Sequence, residues 1–380
     1  MLIEQKIWKS GHGWKTLTPN SSDSFAPQLI FAFASREQLL NESSVSEIRM
    51  QYPNSAIIGC STSGEIAGCS VYDNSIILTA IQFEKTTIAL ASIEVEDSNK
   101  SNAVAKSLLE QLPAAGLKHV FVLSDGLNVN GTELVKGFRE VLPNGVQVTG
   151  GLAGDASLFQ KTVVINSNES KSNLITAIGF YGNNIQIGYG SFGGWDSFGV
   201  ERLVTKSVRN VLFEIDGSPA LSLYKSFLGD QAKDLPGSGL LFPLSLRTDV
   251  DEASVVRTIL AVNEEDQSIT FAGDVPEGSY VRLMKANIDR LIEGAVKAAK
   301  NINSDFIDST PELAILISCV GRRLVLKQLV EEEIEGVQQI LGKEAVLTGF
   351  YSYGEISPFS ESSKCELHNQ TMTITTFKEI

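Results

Sequence analysis

The chain has 380 residues, of which 43% are apolar and 20% charged, and its formal net charge is −14. This composition is typical of a globular protein with two or three domains and unlike that of a disordered chain. The acidic balance argues against nucleic acid or an anionic membrane surface as a partner, because both require basic patches. There is no apolar run of about 18 residues and no secretory signal pattern, so we expect no transmembrane helix and a cytoplasmic location.

The first part of the chain predicts an N-terminal extension, residues 1–27, followed by a first domain over 28–216. In this domain strands alternate with helices, which favours parallel strand pairs. The predicted strands are 29–34, 56–60, 120–123 and 146–149, and the predicted helices are 36–51, 101–112 and 132–142. Residues 76–83 and 86–95 are expected to form a hairpin. Asp125 and Asn130 are expected to stabilise a turn and a helix start.

The second domain, residues 217–380, repeats this order of elements. Helices are predicted over 220–228, 287–300 and, as one long helix, from Gly321 to Leu341, because the apolar residues recur at helical spacing. The run Glu331, Glu332 and Glu333 is interpreted as a solvated helix face. A final strand is predicted over 367–377. The fold class expected is mixed α/β, with two pseudo-repeated lobes that each contain a mixed β-sheet flanked by helices.

One loop sequence occurs twice, as GCSTSGEI near the N terminus and as GFYSYGEI near the C terminus. Both copies follow an apolar strand and have the pattern Gly-x4-Gly-Glu-Ile, and VTGGLAGD is a looser third copy. We expect the loops 59–65 and 349–355 to occupy equivalent places. We also expect at least one of Gly64 and Gly354 to have a positive φ, since that conformation favours glycine.

Catalytic motifs are incomplete. The Gly-x4-Gly pattern resembles the start of a phosphate-binding loop, but Glu-Ile replaces the required Lys-Ser/Thr, and a carboxylate repels phosphate. No G-x-S-x-G is present, and no CxxC, CxxCH or H-x3-H spacing indicates a zinc site or covalent haem. We therefore predict that the protein is not an enzyme.

Five residues are candidates for ligand binding. Glu65 and Glu355 follow the repeated glycines at strand ends, where their carboxylates could accept from a ligand's ammonium group or from loop N–H groups. Tyr351 and Tyr353 could line a pocket or pack in the core. Arg322 could hold a ligand carboxylate or form an ion pair.

Several sequence blocks together resemble the FIST family of sensory proteins, which have paired N- and C-terminal FIST domains. The blocks are GCSTSGEI, SDGLNVNGTEL, GGLAGD, IDGSPALSLYKSFLG, CVGRR, GFYSYGEISPF and LHNQTMT, and they extend from about Gln28 to the C terminus. The resemblance implies a protein that binds a small ligand and reports it to a separate signalling protein, such as a histidine kinase or a cyclic-di-GMP enzyme. The full-length form further resembles the NosP branch, which implies b-type haem and nitric oxide as the signal; an amino acid or another small metabolite is the alternative ligand.

If the chain binds haem, His368 is the expected axial ligand. It lies in the block LHNQTMTITTF, and on one strand it would share an apolar face with Gln370, Met372 and Ile374. His12 lies in the N-terminal extension, and His119 precedes an apolar strand. The structural alternative is that His368 is a core histidine that hydrogen-bonds to the backbone.

Overall fold

In a computed structural model of the chain, residues 1–20, 22, 24–167, 169–248, 254–302, 310–359 and 363–380 are described. The strands of the central fold belong to three units that follow one another along the chain. A fourth, antiparallel sheet is inserted into the third unit.

The first unit starts at the N terminus, so the predicted extension supplies two of its strands. Its strands are β1 (Leu2–Lys9), β2 (Gly13–Thr18), β3 (Leu29–Ala34), β4 (Ala56–Ser61), β5 (Glu65–Ala67), β6 (Ser70–Tyr72) and β7 (Ser75–Gln82), and helices α1 (Arg36–Leu40) and α2 (Glu42–Gln51) connect β3 to β4. All of β3 is buried, as expected for a parallel strand with a continuous apolar sequence.

From β9 onward the second unit repeats the order of elements that the first unit has from β3 onward. Its strands are β8 (Thr87–Glu94), β9 (Leu117–Ser124), β10 (Gln147–Leu152), β11 (Val164–Asn166), β12 (Ser170–Lys171) and β13 (Leu174–Tyr181), and its helices are α3 (Ser101–Glu110) and α4 (Gly131–Val141). The side chain of Asn130 accepts from the Glu133 N–H at 3.0 Å and so caps α4, as predicted.

The inserted sheet follows β14 (Ile185–Phe192), the first strand of the third unit. Its elements are β15 (Asp196–Ser197), β16 (Arg202–Val208), β17 (Val211–Ile215), β18 (Ser218–Pro219), α5 (Ala220–Leu228), β19 (Leu244–Arg247), β20 (Val255–Arg257), β21 (Ile259–Asn263), β22 (Ser268–Phe271) and β23 (Tyr280–Lys285). We call residues 196–285 the insert. Gly229, with φ +58, ends α5 as the sequence predicts.

The third unit resumes after the insert. Its remaining elements are α6 (Ile288–Lys300), β24 (Leu313–Cys319), α7 (Val320–Leu326), α8 (Val330–Leu341), β25 (Val346–Ser352), β26 (Gly354–Pro358), β27 (Cys365–His368) and β28 (Met372–Glu379). The single long helix predicted after Gly321 is therefore two helices, separated by a short 3-10 segment that starts at Lys327, whose φ is +52.

Each unit gives one hairpin to the sheet of another unit. The parallel pairs β3/β4, β9/β10 and β24/β25 form the centres of three sheets. The hairpin β5–β6 joins β25, β26–β27 joins β10, and β11–β12 joins β4. Because every unit completes the sheet of another, the exchange closes a ring.

The inner faces of the three sheets share one core, and the helices pack on the outer faces in three further clusters. Aromatic pairs join the units at the centre. The ring centroids are 5.3 Å apart for Phe31 and Phe121, 4.8 Å for Phe33 and Phe350, and 5.0 Å for Phe180 and Phe377.

The mixed α/β fold is confirmed, and the two predicted glycine loops are equivalent, since each connects the second parallel strand to the exchanged hairpin. The looser third copy belongs to the same repeat. The predicted hairpin over 76–95 is wrong, because β7 and β8 lie in different sheets. The predicted strand over 367–377 is wrong as well, because it is broken after His368 and its two halves also lie in different sheets.

Candidate ligand-binding site

Three glycines at the same register keep the parallel pairs close together. Gly59 lies opposite Ala32, Gly150 opposite Val122, and Gly349 opposite Leu316. A Cβ atom on any of them would lie 1.8 to 2.0 Å from the carbonyl oxygen of the neighbouring strand. These glycines allow the strands to end together, so that the loops after them meet.

The two repeated glutamates hold their own loops. Glu65 accepts hydrogen bonds from Thr62 and from the hydroxyl of Ser75, whose Oγ is 2.7 Å away. Glu355 accepts from Ser352 at 2.7 Å and from the hydroxyl of Thr371 at 2.8 Å. Both carboxyls are buried, at 1% and 0% exposure. The turn-holding interpretation therefore describes these two residues, and neither is available to a ligand from solvent.

Burial also decides the ionisation of these acids. Desolvation raises the pKa of Glu65 to about 7 and that of Glu355 to about 8, while the hydroxyl donors lower both pKa values by a smaller amount. Each of the two repeated loops therefore contains one buried carboxyl group that gains its proton near neutral pH.

Arg322 and Tyr351 belong to a buried ion-pair network, and neither side chain is exposed to solvent. The guanidinium of Arg322 contacts the Glu333 carboxylate at 2.6 Å, and both side chains are fully buried. Tyr351 donates to the same carboxylate at 2.7 Å, and Ser318 donates to it at 3.1 Å. Arg322 also donates to the backbone carbonyls of Gly193 and Leu291. Glu333 is thus buried, which corrects the interpretation of the acidic run as a solvated face.

His368 is a core histidine hydrogen-bonded to the backbone. Its Nε2 lies 2.7 Å from the carbonyl oxygen of Ser357, and its ring packs edge-on against Phe359 with centroids 4.4 Å apart. Burial lowers its pKa to about 4, so the ring is neutral at pH 7. Met372 lies on β28 in another sheet, so the apolar face that the sequence predicted for His368 and Met372 does not exist.

The other two histidines differ in burial. His119 is buried, its Nε2 is 2.8 Å from the Thr149 hydroxyl, and burial lowers its pKa to about 3. His12 is exposed. Among the described residues, no group of three His, Cys, Asp or Glu side chains could hold a metal ion.

A cavity of about 220 Å³ lies where the loops of the second and third units meet the insert. We call it the Tyr353 cavity. The second unit contributes the loop after β9, Leu152 at the end of β10 and Phe159 in the loop that follows. The third unit contributes Tyr353 after β25, and all of these lie at the carboxyl ends of strands. In α/β sheets this end is the usual place for ligands.

Tyr353 forms the wall of the cavity together with Phe159. Their rings are stacked 4.5 Å apart and 11° from parallel. The Tyr353 hydroxyl donates to the buried carboxylate of Asp155, which also accepts from Arg36 at 3.0 Å. Ala156 and Phe159 both have positive φ, at 62° and 51°. Such strain in non-glycine residues is most frequent at ligand clamps and switches.

The insert supplies the opposite wall with Ala272 and six further residues, and sequence reasoning selected none of them. The six further residues are Arg209, Asn210, Leu260, Phe271, Gly273 and Asp274. Of the residues named from sequence, Tyr353 and Asn130 line the cavity, whereas Glu65, Glu355, Tyr351, Arg322 and His368 do not. The block SDGLNVNGTEL, which contains the loop after β9, could have indicated from sequence the side of the cavity that the second unit provides. No local pattern marks Asp274 or Leu260, because their position depends on how the insert packs.

Two domain models of one protein family match most of the chain. Residues 28–218 match the FIST N domain and residues 220–358 match the FIST C domain. An uncharacterized protein of Methanocaldococcus jannaschii is 23% identical over 319 residues, which is 76% of this chain and 59% of that protein. This chain therefore spans 59% of the length of that relative.

Among solved structures, a cyanuric acid hydrolase from A. caulinodans aligns with 93% of this chain and 90% of its own, at 6% identity and a TM-score of 0.35. At that score the similarity supports no statement about activity. FIST domains are sensory, ligand-binding domains of signalling proteins, and the two matches cover most of the chain. None of the helices in the described ranges has the length and apolar character needed to span a bilayer. The chain belongs to the FIST family, with one FIST N and one FIST C domain.

Proposed function

We propose that the protein senses a small metabolite, such as an amino acid, which binds in the Tyr353 cavity. The supporting observation is the cavity itself, which combines aromatic walls from Tyr353, Phe159 and Phe271 with polar groups from Asn130 and Asp274. Apolar walls with a few polar groups are typical of small-molecule sites. A volume of about 220 Å³ is below the range of about 300–1,000 Å³ that is usual for drug-sized ligands, so a small metabolite is favoured.

The haem and nitric oxide hypothesis from the NosP resemblance has weaker geometric support. Haem iron needs an axial His, Cys, Met or Tyr beside an apolar cavity large enough for the macrocycle. His368 has its Nε2 bonded to Ser357 and its ring packed against Phe359. The larger hollow of about 550 Å³ near Leu112 and Val141 contains none of those ligands. The described residues therefore do not fit haem at His368 without local opening.

Purified protein distinguishes these ligands. We expect at least one of the twenty standard amino acids, screened singly, to raise the thermal midpoint of the protein, because a ligand that binds only the folded state stabilises it. Haem titrated into the protein should give no shifted Soret band. A Soret shift that is lost in His368→Ala but kept in His12→Ala would instead support haem. Turnover of a screened compound would point to an enzyme.

Two matched substitutions test the location of the site. Leu260 lines the cavity and is 39% exposed, whereas Leu241, also in the insert, is 38% exposed and lies outside the cavity. Leu260→Trp should fill the cavity and abolish the thermal shift. Leu241→Trp should leave the shift unchanged. A ligand that stabilises both variants equally would refute this location.

We also propose that the ligand state is passed to a separate signalling protein, such as a histidine kinase or a cyclic-di-GMP enzyme. The support is the sensory role of FIST domains in signalling. The test is to co-purify the protein from its source cells with and without the ligand found above, and to assay bound proteins for autophosphorylation and cyclic-di-GMP turnover. A ligand-independent set of bound proteins would contradict this proposal.

A further inference from the structure

The insert packs as a body of its own. Its hydrophobic core consists of described residues between 198 and 283, including Val204, Tyr224 and Phe271, and none of its members comes from the three units. A body with its own core can change its orientation without unfolding, provided that its connections and its outer contacts permit it.

The insert is joined to the third unit by a narrow two-stranded stalk. The chain enters and leaves at neighbouring positions, since Asp196 pairs with Lys285 and Ser197 pairs with Met284. Gly194, two residues before Asp196, has φ +87°, and a Cβ there would lie 2.2 Å from the carbonyl oxygen of Arg290. Hinges in proteins commonly consist of a few such residues at the ends of elements.

Beyond the stalk, a small polar cluster attaches the insert to the core units. Asp274 accepts from the Asn130 amide at 3.2 Å, and its N–H donates to the Thr132 hydroxyl at 3.1 Å. The buried guanidinium of Arg257 donates to the carbonyl oxygen of Leu367 at 3.2 Å. We call these five residues the clasp.

The clasp residues overlap with the residues that line the Tyr353 cavity. Asn130, Asp274 and Leu367 line the Tyr353 cavity, and Gly273, which also lines it, lies against the guanidinium of Arg257. A molecule in the cavity therefore contacts the insert on one side and the core units on the other. Further attachments include a contact of Arg209 with Asn99 at the cavity rim and packing of Val256 and Met284 on the third unit. Near the stalk, Arg290 forms an ion pair with Asp196, and the N–H of Ala286 donates to the carbonyl oxygen of Leu241 at 3.1 Å.

We propose that occupancy of the Tyr353 cavity sets the orientation of the insert, which turns on the stalk and is held by the clasp. The insert thereby converts ligand binding into a change of shape that a signalling partner can read. The linkage is reciprocal: whatever holds the insert against the core must also strengthen ligand binding. This proposal rests on the proposed function for the identity of the site.

Spin-label distances test the proposal without a ligand. Labels are placed at Lys233→Cys on the insert, whose side chain is 79% exposed, and at Glu110→Cys on α3, which is exposed. Cys69 is replaced by serine, and the other three cysteines are buried. The distance distribution is then measured by double electron–electron resonance in three variants of this labelled chain.

The clasp variant, Thr132→Val with Asp274→Ala, should shift or broaden the distribution by more than ~2 Å, the scale of loop and domain rearrangements. Leu260→Trp should shift it as well, because an indole in the cavity pushes against both bodies. Glu265→Ala, an exposed acid on the same insert, should leave it unchanged. Circular dichroism checks folding, and Asp274→Ala alone replaces the clasp variant if the latter does not fold.

An unchanged distribution in the clasp variant or in Leu260→Trp overturns the proposal, and so does an equal change in Glu265→Ala. Failure of this proposal can be distinguished from failure of the proposed function. Absence of any ligand-induced thermal shift would refute metabolite sensing, whereas the spin-label distances report on the insert alone.

Discussion

Replacing Glu333 by alanine should strongly destabilise the protein, although the residue lies in a run of three glutamates. The substitution removes the acceptor for Arg322, Tyr351 and Ser318, and it leaves a fully buried guanidinium without its carboxylate. Breaking a buried ion pair by removing one partner costs about 3–5 kcal/mol. The two remaining bonds of Arg322 to the carbonyls of Gly193 and Leu291 do not neutralise its charge.

The neighbouring glutamate provides a matched control. Glu332 is exposed, so Glu332→Ala should change the free energy of unfolding by no more than about 0.5 kcal/mol. Urea unfolding followed by tryptophan fluorescence measures both variants. Trp195 is a suitable probe because its indole N–H bonds to the Gln370 carbonyl and its ring packs in the helical core of the third unit.

Removing both charges should be milder than removing one. In Arg322→Met with Glu333→Leu, no buried charge is left unpaired, and replacement of a buried ion pair by apolar residues is often neutral. Tyr351 and Ser318 lose their acceptor, which costs about 1–3 kcal/mol for each unsatisfied group. If Glu333→Ala unfolds within about 1 kcal/mol of Glu332→Ala, the reasoning from burial is refuted.

Two further predictions concern the repeated loops. Because burial raises the pKa of Glu65 to about 7 and that of Glu355 to about 8, from an ordinary value of 4.5, the folded state binds more protons than the unfolded state between pH 4.5 and 8. Stability attributable to these acids should be complete below about pH 4.5 and decline as the pH rises through 7 and 8, by a few kcal/mol in order of magnitude. Glu65→Gln with Glu355→Gln should flatten the measured dependence of unfolding free energy on pH over that window, and an unflattened curve would contradict the raised pKa values. Gly64→Val should cost about 1–3 kcal/mol, since φ is +132° and the new Cβ would lie 2.4 Å from the Arg323 guanidinium, and it should cost more than Glu65→Gln at pH 6. Gly354→Val is the control, because its φ is not positive and the three atoms nearest to its Cβ would be side-chain atoms of Leu367 and Leu152. Equal losses at the two glycines would reject the argument from φ.

The repeated glycines could be recognised in the sequence because each of them meets a local steric requirement of the backbone. A strand that lies against a neighbouring carbonyl oxygen needs glycine wherever the backbone approaches most closely, and Gly59, Gly150 and Gly349 all meet that demand. The positive φ expected at Gly64 or Gly354 is confirmed at Gly64. Helices α4 and α6 were also predictable, because each buries one apolar stripe and begins at an asparagine cap.

Strand pairing and buried charges were not predictable from local patterns. The sequence of β7 and β8 favours strands but does not say that each joins a different sheet, because both are apolar and both are followed by turns. Likewise Glu333 differs from Glu332 only in facing Arg322, which is 11 residues earlier in the chain. The insert side of the cavity was not predicted for the same reason. Contacts between the insert and the core units produce no periodic pattern in the sequence of either part.

The strand exchange explains why the cavity requires both FIST domains. The matched range 28–218 supplies Asn130, Phe159 and Arg209 to the cavity, while 220–358 supplies Asp274 and Tyr353. The insert begins in the first range and ends in the second, and β26 of the third unit pairs with β10 of the second. The hydroxyl of Tyr353 is held by the loop after β10: it donates to Asp155 and to the carbonyl oxygen of Ala156, and it accepts from the N–H of Phe159. The cavity and the assembly of the two domains therefore both depend on one closed ring of strands.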